Sequence, residues 1–515
     1  MKKKLAMFMG AAMTTAMLAG CGSGNTTSDS AGSTADTTGT AADTTTEQAE
    51  GTTTNFDEEP YVCKIVCVGD STSEACDQVA EEASKITMEK YNIKIELVRL
   101  GYGTFGDEVN LMLSSGEKLD LMPNFAFTTM TAVNTGQILD LTDLLPEYGK
   151  DILATVPESE WKCVTFNDRI YAIPNNKEKA QGFGIAMRTD MLEAVNYDLS
   201  TIKTEADLEG LFAAIKEAYP DTYPLVSDNG QMGYHMIARD ELGGDYGVLM
   251  DDTNVTTAEV VNYFETPEYA EMVQRHYDWS QKGYIIPDAA NTTENAADLI
   301  AAGKGFSYFT NTKPGIEAEW TRKAGVDMTV LELVEPFKST SGVSNQWYIV
   351  HQSEQPEKAM QVLNEIYSNP DLSNLLVNGI EGVHYVKDEA NGVLTYPEGV
   401  DASNTTYSSV AWVWPNELNT IPWEADGADI WEQTEEFNNS AKDSLCLGFT
   451  WDNSKVLNEI TACNNVKSKY ENALNTGSLD PATALPKMIQ ELKDAGVDTV
   501  IAEKQAQVDA WMASK

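Results

Sequence analysis

Three β-rich runs alternate with two amphipathic helices in the first third of the chain, and this alternation constrains the fold more than any other feature. Ser71 and Glu74 form a capping-box pattern that begins the first helix, and the second helix is predicted from Thr104 to about Ser115. Because strand–helix–strand connections are right-handed crossovers within a parallel sheet, the pattern predicts an α/β fold. The β-rich runs are YVCKIVCVGD (Tyr61–Asp70), IKIELVRL (Ile93–Leu100) and KLDLMPNF (Lys118–Phe125).

The carboxyl ends of these strands are the predicted place for a ligand, since open parallel sheets bind ligands beyond that edge. The three ends are residues 69–71, 101–105 and 123–127. Tyr102 and Phe125 are candidate ligand contacts because of these loop positions alone, and Phe125 is also compatible with a place in the core.

Helix-start signals continue along the rest of the chain, which is too long for one typical core and therefore predicts two lobes. The clearest signals are Thr204 with Asp207, Thr266 with Pro267, and Asn369 with Pro370. Near the C-terminus an apolar stripe from Leu485 to Ala495 predicts another helix that ends at Gly496, and one more helix follows it.

The N-terminal residues have the pattern of an export signal. Lysines at positions 2–4 precede an uncharged run over residues 5–19, which predicts a signal peptide over 1–20 and is too short to span a bilayer. The run ends in LAGC, which resembles the bacterial lipobox and implies that Cys21 becomes the first mature residue and carries palmitate and further acyl lipid. A plain secretory signal with a coincidental cysteine is the alternative.

Residues 21–56 are predicted to form a disordered tether behind that cysteine. The stretch from Gly22 to Asn55 holds 12 Thr and 4 Ser, with neither Lys nor Arg and without large apolar side chains. Such a chain cannot bury enough apolar surface to offset its ordering entropy. We therefore expect a lipid-anchored protein on the extracellular face of the cell membrane, with the tether between the anchor and the folded part.

The excess of acidic residues limits the classes of molecule that the protein is expected to bind. With 80 acidic and 35 basic residues the formal net charge is −45, which argues against nucleic acid and anionic lipid. Neutral or cationic ligands are compatible with it, but a solvated acidic surface that keeps an extracellular protein soluble is the simpler explanation.

The cysteines after Cys21 do not indicate a metal or cofactor site. None has C-x-x-C spacing, the chain has only four His, and we expect neither metal nor cofactor. Cys63 and Cys67 share one face of a predicted strand about 13 Å apart, which is too far for a disulfide. Buried free thiols are the expected state.

Six segments are similar to one known family, and together they cover nearly the whole chain after the tether. They resemble the extracellular solute-binding lipoproteins of ABC importers, and the segment that ends in GIEGVHY resembles the subgroup with a DUF3502 C-terminal region. The segments are FNDRIYAIP (166–174), GFGIAMRTDML (182–192) and YAEMVQRHYDWSQKGYI (269–285), then AAGKGFSYFTNTKPG (301–315), the run from SEQPEK to GIEGVHY (353–385) and FNNSAKDSLCLGFTWD (437–452).

The resemblance implies a type II periplasmic-binding-protein fold, in which crossing strands join two α/β lobes around a ligand cleft. The expected boundaries are 57–182 for the first part of lobe 1, 183–343 for the first part of lobe 2, 344–400 for the return to lobe 1, and 401–515 for a DUF3502-like region that completes the lobes.

Aromatic rings and planar polar side chains are the candidate ligand contacts, because a ring covers the C–H face of a sugar while polar groups pair its hydroxyls. Trp412 and Trp414 would point the same way on a strand, as a cleft platform or as core packing. Asn345 and Trp347 in SNQWYIV are further candidates, and hinge packing is their structural alternative. Glu381, His384 and Tyr385 in GIEGVHY are also candidates, and a helix-capping loop is the alternative for this segment. The last candidate is Asn311 in YFTNTKPG.

These features predict a monomeric, non-enzymatic receptor that closes its lobes on an oligosaccharide and delivers it to the permease subunits of an ABC importer. A receptor for a peptide or another polar solute is the alternative on the same scaffold. A secreted glycoside hydrolase is disfavoured, because the many carboxylates make acidic pairs unavoidable and no G-x-S-x-G or Ser-His-Asp pattern is present.

Overall fold

A computed structural model describes residues 54–514, except 70, 245, 251–255, 341, 344, 408 and 409. The predicted signal peptide, Cys21 and the tether as far as residue 53 lie outside the described residues.

The strands are short outside the two central sheets. In chain order they are β1 (Tyr61–Val68), β2 (Ile93–Leu100), β3 (Leu121–Pro123), β4 (Thr165–Phe166), β5 (Arg169–Ile170), β6 (Ile173–Pro174), β7 (Ala180–Arg188), β8 (Tyr223–Leu225), β9 (Arg239–Asp240), β10 (Leu249–Met250), β11 (Gly305–Thr312), β12 (Met328–Lys338), β13 (Gln346–Ile349), β14 (Val386–Asp388), β15 (Val393–Thr395) and β16 (Lys442–Asp443).

The helices surround these sheets. In chain order they are α1 (Ser73–Tyr91), α2 (Phe105–Ser115), α3 (Thr129–Asn134), α4 (Leu144–Tyr148), α5 (Lys150–Thr155), α6 (Glu158–Trp161), α7 (Thr189–Val195), α8 (Leu208–Ala218), α9 (Pro267–Gln281), α10 (Ala296–Ala301), α11 (Ile316–Ala324), α12 (Pro356–Ser368), α13 (Pro370–Asn378), α14 (Ile430–Ser440), α15 (Leu457–Asn475), α16 (Pro481–Asp494) and α17 (Val497–Ala513).

The first sheet has the strand order β2-β1-β3-β13-β6. β1 is parallel to β2 and β3, as the strand–helix alternation predicts, with Tyr61 opposite Ile93 and Val68 opposite Leu100. β13 runs antiparallel to both β3 and β6, so the complete sheet is mixed. The antiparallel strand comes from the distant return segment, which local alternation cannot reveal.

The second sheet has the order β16-β12-β7-β11-β8, with β7 antiparallel to its two neighbours. The chain leaves the first sheet at β6, enters the second at β7, and returns from β12 to β13. The two sheets with their helices are the two α/β lobes. Helices α15 and α16 pack on α9 of the second lobe, and α17 packs on α15 and α16. Tyr407, Val413 and Trp414 instead join the core of the first lobe.

Most helix starts agree with their sequence signals because each signal satisfies an unpaired backbone N–H. Thr266 accepts from Tyr269 N at the start of α9, and Asn369 caps α13. Thr204 and Asp207 form a capping box that opens a 3₁₀ turn before α8. One assignment is wrong by a residue: Thr72, not Ser71, caps α1 and accepts from Ala75 N over 3.2 Å.

The six cysteines after Cys21 are buried and free, as expected. No helix in the described part of the chain is both long and apolar enough to cross a membrane. Within the same residues, no cluster of three His, Cys, Asp or Glu side chains is arranged to hold a metal ion.

A buried ion cluster joins three segments of the second lobe. Glu205 contacts His276 Nε2 at 2.5 Å and Arg275 Nη2 at 2.6 Å, while His276 Nδ1 lies 2.6 Å from the carbonyl oxygen of Asn475. Burial raises the pKa of Glu205, but His276 and Arg275 outweigh it and lower the pKa to about 2. The ionised carboxylate therefore stabilises the fold.

We expect Glu205→Gln to destabilise the protein by about 3 to 5 kcal/mol at pH 7, because it removes the carboxylate that pairs with the Arg275 guanidinium and with His276 in the buried cluster. The folded pKa of Glu205 lies below the unfolded value of about 4.3, so its contribution is complete above roughly pH 5 and is lost as the pH falls towards 2. Denaturant unfolding should show that the variant's loss of unfolding free energy, relative to the wild type, is smaller at pH 3 than at pH 7.

Glu209→Gln is the matched control, because the half-exposed Glu209–Lys282 pair contributes little more than about 1 kcal/mol. A Glu205→Gln deficit of the same size at both pH values would contradict the ionised buried carboxylate.

Candidate functional site

Two cavities lie where the lobes meet. The first, here called the Phe127 cavity, has a volume of about 490 Å³. The first lobe contributes residues 124–130 after β3, and the opposite wall is formed by the loop 241–244 with residues 449–453. The predicted ligand edge of the first sheet therefore opens into an interlobe cavity.

The second cavity, the Trp423 cavity, has a volume of about 380 Å³. The second lobe contributes Lys313, Glu319 and Arg322, from the end of β11 and from α11. The segment 412–431 supplies three tryptophans and a carboxyl group to the lining, namely Trp412, Trp423, Trp431 and Glu417.

A row of aromatic rings connects the two cavities. The ring centroid of Phe125 lies 6.3 Å from that of Tyr102 and 5.6 Å from that of Trp412. Phe125 lines the Phe127 cavity and Trp412 lines the Trp423 cavity. The structure thus brings together three of the candidate contacts in one row, in which Phe125 and Trp412 pack on the core of the first lobe.

Tyr234 is an aromatic of the second lobe that the sequence analysis did not identify. Its ring stacks on Phe183 with centroids 5.2 Å apart, and 40% of the residue is exposed. Burial raises the pKa of Tyr234. Charged groups from both cavities also shift this pKa: Lys313 lowers it and Glu241 raises it. The glycine directly before Tyr234 is a weak sequence signal for a close approach of two backbone segments. Gly233 adopts φ +82°, and a Cβ there would lie 2.2 Å from the carbonyl oxygen of Phe309.

Two glutamates at the chain crossing have pKa values shifted in opposite directions. Burial raises the pKa of Glu178, but the charges of Lys177 and Lys313 outweigh it and the pKa lies below its usual value. Burial and the charge of Glu178 push the pKa of Glu417 well above its usual value. The raised pKa favours the protonated, donating form of Glu417, and the lowered pKa favours the accepting carboxylate of Glu178, at the wall of the Trp423 cavity.

The prediction that Trp414 and Trp347 face a ligand is wrong for this structure. Their rings stack with centroids 5.4 Å apart and are fully buried, and Trp347 Nε1 donates to the carbonyl oxygen of Val413 over 2.8 Å. Residues 411–413 form a 3₁₀ turn rather than a strand, so Trp412 and Trp414 point to different surroundings. Only Trp412 reaches the cleft.

Asn311 and Asn345 are half-buried residues at the crossings. Asn311 lies on β11 opposite Phe183, and the carbonyl oxygen of Asn345 accepts from Asn175 N over 3.0 Å. Neither belongs to the described residues that line the two cavities.

The GIEGVHY loop follows α13 and is built largely by internal contacts. His384 is buried and its Nδ1 accepts from Ile380 N over 2.9 Å, while burial lowers its pKa. The buried Tyr385 hydroxyl accepts from Asn374 Nδ2 over 2.9 Å, and Glu381 is exposed. The capping-loop alternative explains this segment, because these groups do not line either cavity within the described chain.

The C-terminal helices hold one wall of the Phe127 cavity in place. Lys504 of α17 is fully buried, and its Nζ donates to the carbonyl oxygens of Gly244 and, over 3.0 Å, Gly247. The same ammonium group lies 5.1 Å from the ring centroid of Trp451, which lines the cavity. Gly243 adopts φ +82° against Trp451, where a Cβ would approach to 3.0 Å.

Two α/β lobes joined by crossing strands, with an aromatic cleft between them, define the class of solute-binding receptors. Comparison with known families agrees with this class. The chain belongs to the bacterial extracellular solute-binding protein family, which matches residues 69–371. A domain of unknown function, DUF3502, matches residues 445–513, which contain Trp451 and Lys504.

Individual relatives extend over most of the chain. It is 28% identical to a carbohydrate ABC transporter substrate-binding protein of Streptococcus pneumoniae, over 88% of this chain and 91% of that one. The crystal structure of the N-glycan transport solute-binding protein NgtS from Streptococcus pneumoniae superimposes with a TM-score of 0.78 at 26% identity, covering 88% and 99% of the two chains. An HMO-binding, ABC-transporter-associated solute-binding protein from Bifidobacterium longum infantis shares the fold, at 16% identity and TM-score 0.64 over 88% of this chain and 99% of that one.

We expect Lys504→Met to loosen the loop 241–247, because its carbonyl oxygens lose a buried donor at a cost of about 1 to 3 kcal/mol. Hydrogen exchange should accelerate at the amides of this loop more than in the first-lobe core. The same substitution at Lys455, whose exposed side chain pairs with Glu503, should leave the loop unchanged. Equal exchange in both variants would show that Lys504 does not position the loop.

Proposed function

We propose that the protein is the lipid-anchored receptor of an ABC importer for a neutral oligosaccharide, acting as a monomer with membrane permease subunits. The observation that carries the proposal is the Phe125–Trp412 ring contact between two interlobe cavities. An aromatic surface that spans a cleft fits the C–H faces of successive sugar units.

The polar groups of the Trp423 cavity complement sugar hydroxyls. The raised pKa of Glu417 keeps a donor available, and the ionised Glu178 beside it is an acceptor. Hydroxyl groups lose water on entering a cleft and need such partners. Lobe closure would bring Lys313 and Tyr234 of the second lobe onto the other side of the ligand.

The charges of this cavity favour a neutral ligand over a cationic peptide. Three acidic side chains of the lining already have basic partners: Glu178 pairs with Lys177 at 2.6 Å, Glu319 with Lys313 at 3.4 Å, and Asp426 with Arg322 at 2.7 Å. Burial and the charge of Glu178 raise the pKa of Glu417, which disfavours a further negative charge in the lining. An acidic overall composition therefore does not translate into an acidic ligand site.

The relatives support the same class of ligand. NgtS has been solved in complex with Man1GlcNAc and with Man5GlcNAc, in structures that match this chain with TM-scores of 0.70 and 0.67 at 26% and 27% identity. The pneumococcal relative with 28% identity is named as a carbohydrate receptor.

We expect the soluble body from Phe56 onward to gain thermal stability in the presence of an oligosaccharide and to return it unchanged. Calorimetry with Man1GlcNAc, Man5GlcNAc, kestose and an oligopeptide panel would measure binding, and chromatography of the recovered ligand would detect cleavage. Trp412→Ala should weaken oligosaccharide binding roughly tenfold or more, since a buried ring contact is lost.

Phe56→Ala is the control, because Phe56 is an exposed aromatic that is 57% accessible. Binding of peptides but no sugar would support the alternative receptor, and shortened sugars in the recovered ligand would support a hydrolase.

The proposed anchor generates a separate prediction about Cys21. Replacing it with Ser removes the thiol that lipid would modify, so the variant should be released into the medium and should not incorporate labelled palmitate. Membrane retention of Cys21→Ser equal to that of the wild type would contradict the lipid anchor, without bearing on ligand binding.

A further inference from the structure

Tyr396 is an exposed aromatic residue that rests on the wall of the Trp423 cavity. Its ring centroid lies 4.5 Å from that of Trp423, with an interplanar angle of 33°, and 37% of the residue is exposed. Single exposed apolar residues are ordinary, but this ring continues an indole that lines the cleft. The aromatic surface of the cavity therefore extends to the outside of the protein.

Backbone hydrogen bonds hold this pair of rings together. Leu394, on β15 two residues before Tyr396, donates to Pro422 O over 2.8 Å and accepts from Glu424 N over 2.9 Å. These bonds pair β15 with the segment that carries Trp423. Because the two rings are positioned before a ligand arrives, stacking on them costs little conformational entropy.

A charged pair from the two lobes lies at the same rim. Arg322 of α11 donates to Asp426 Oδ1 over 2.7 Å and to the carbonyl oxygen of Ala425 over 2.8 Å. Burial and the charge of Asp401 raise the pKa of Tyr396, with Arg322 lowering it and Asp426 raising it, so the phenol lies among these charges. Half-exposed guanidinium and carboxylate groups supply strong partners for sugar hydroxyls.

We propose that Tyr396 and Trp423 form an outer sugar subsite, occupied by one unit of an oligosaccharide whose inner units lie in the Trp423 cavity. Trp412 and Trp423 line the same cavity, so a chain in contact with both Trp412 and Tyr396 crosses it to the rim. The inference rests on the proposed function and adds the length of the ligand, which is longer than a disaccharide.

A length-dependent binding experiment tests this subsite. The dissociation constants of Man1GlcNAc and Man5GlcNAc, or of the short and long members of whichever tested series the wild type binds, are measured for wild type, Tyr396→Ala, Tyr396→Phe and Phe56→Ala. We expect Tyr396→Ala to weaken the long glycan roughly tenfold and the short glycan less than twofold. Tyr396→Phe keeps the ring and should restore most of the affinity, and Phe56→Ala should match the wild type.

The outcomes separate this inference from the proposed function. If the wild type binds no oligosaccharide, both fail. If the wild type binds both glycans but Tyr396→Ala weakens them equally, Tyr396 only supports Trp423 and the outer subsite is overturned. An unchanged affinity for the long glycan overturns it as well, while leaving the receptor function intact.

Discussion

Asparagine amides hold the chain where it crosses between the lobes, and the cleft depends on them. Asn175 donates to the carbonyl oxygens of Trp412 and Val413 over 3.1 and 3.0 Å, and Asn176 donates to Asn416 Oδ1 over 3.0 Å. Asn438 accepts from the backbone N–H groups that begin β7 and donates to the carbonyl oxygen of Lys177 over 2.8 Å. The bonds of Asn175 and Asn438 satisfy backbone groups at the crossing, and the Asn176–Asn416 bond joins two side chains.

The same bonds place the chemistry of the site. Glu178 lies within the crossing, and Trp412 and Glu417 lie in the segment that the asparagines hold against it. An aromatic ring and a carboxyl pair therefore reach one cavity from parts of the chain more than two hundred residues apart. The C-terminal helices contribute in a different way: Lys504 and Trp451 position a glycine-containing loop that forms the facing wall. The region that matches DUF3502 therefore supports one wall of the cleft.

Secondary structure could be predicted from the sequence because hydrophobic periodicity and capping residues act between neighbouring positions. The alternation of strands and helices predicted β1, β2 and β3 and their parallel arrangement, and Thr266 and Asn369 capped the helices they were expected to begin. The aromatic candidates were less predictable, because a tryptophan serves a core as well as a cleft. The outcome for Trp412 and Trp414 turned on a 3₁₀ turn of three residues, which periodicity does not reveal. Tyr234 and Tyr396 carried no clear pattern at all.

By itself the sequence determined the α/β class, the family resemblance and the start of most helices, since hydrophobic periodicity, capping residues and contiguous motifs act over short separations. Only the tertiary structure decided which rings reach the cleft, that β13 runs antiparallel between β3 and β6, and that the pKa values of Glu178 and Glu417 shift in opposite directions. Those properties arise from contacts between distant segments. Burial and the approach of a second charge set them, and neither is encoded in the spacing of neighbouring residues.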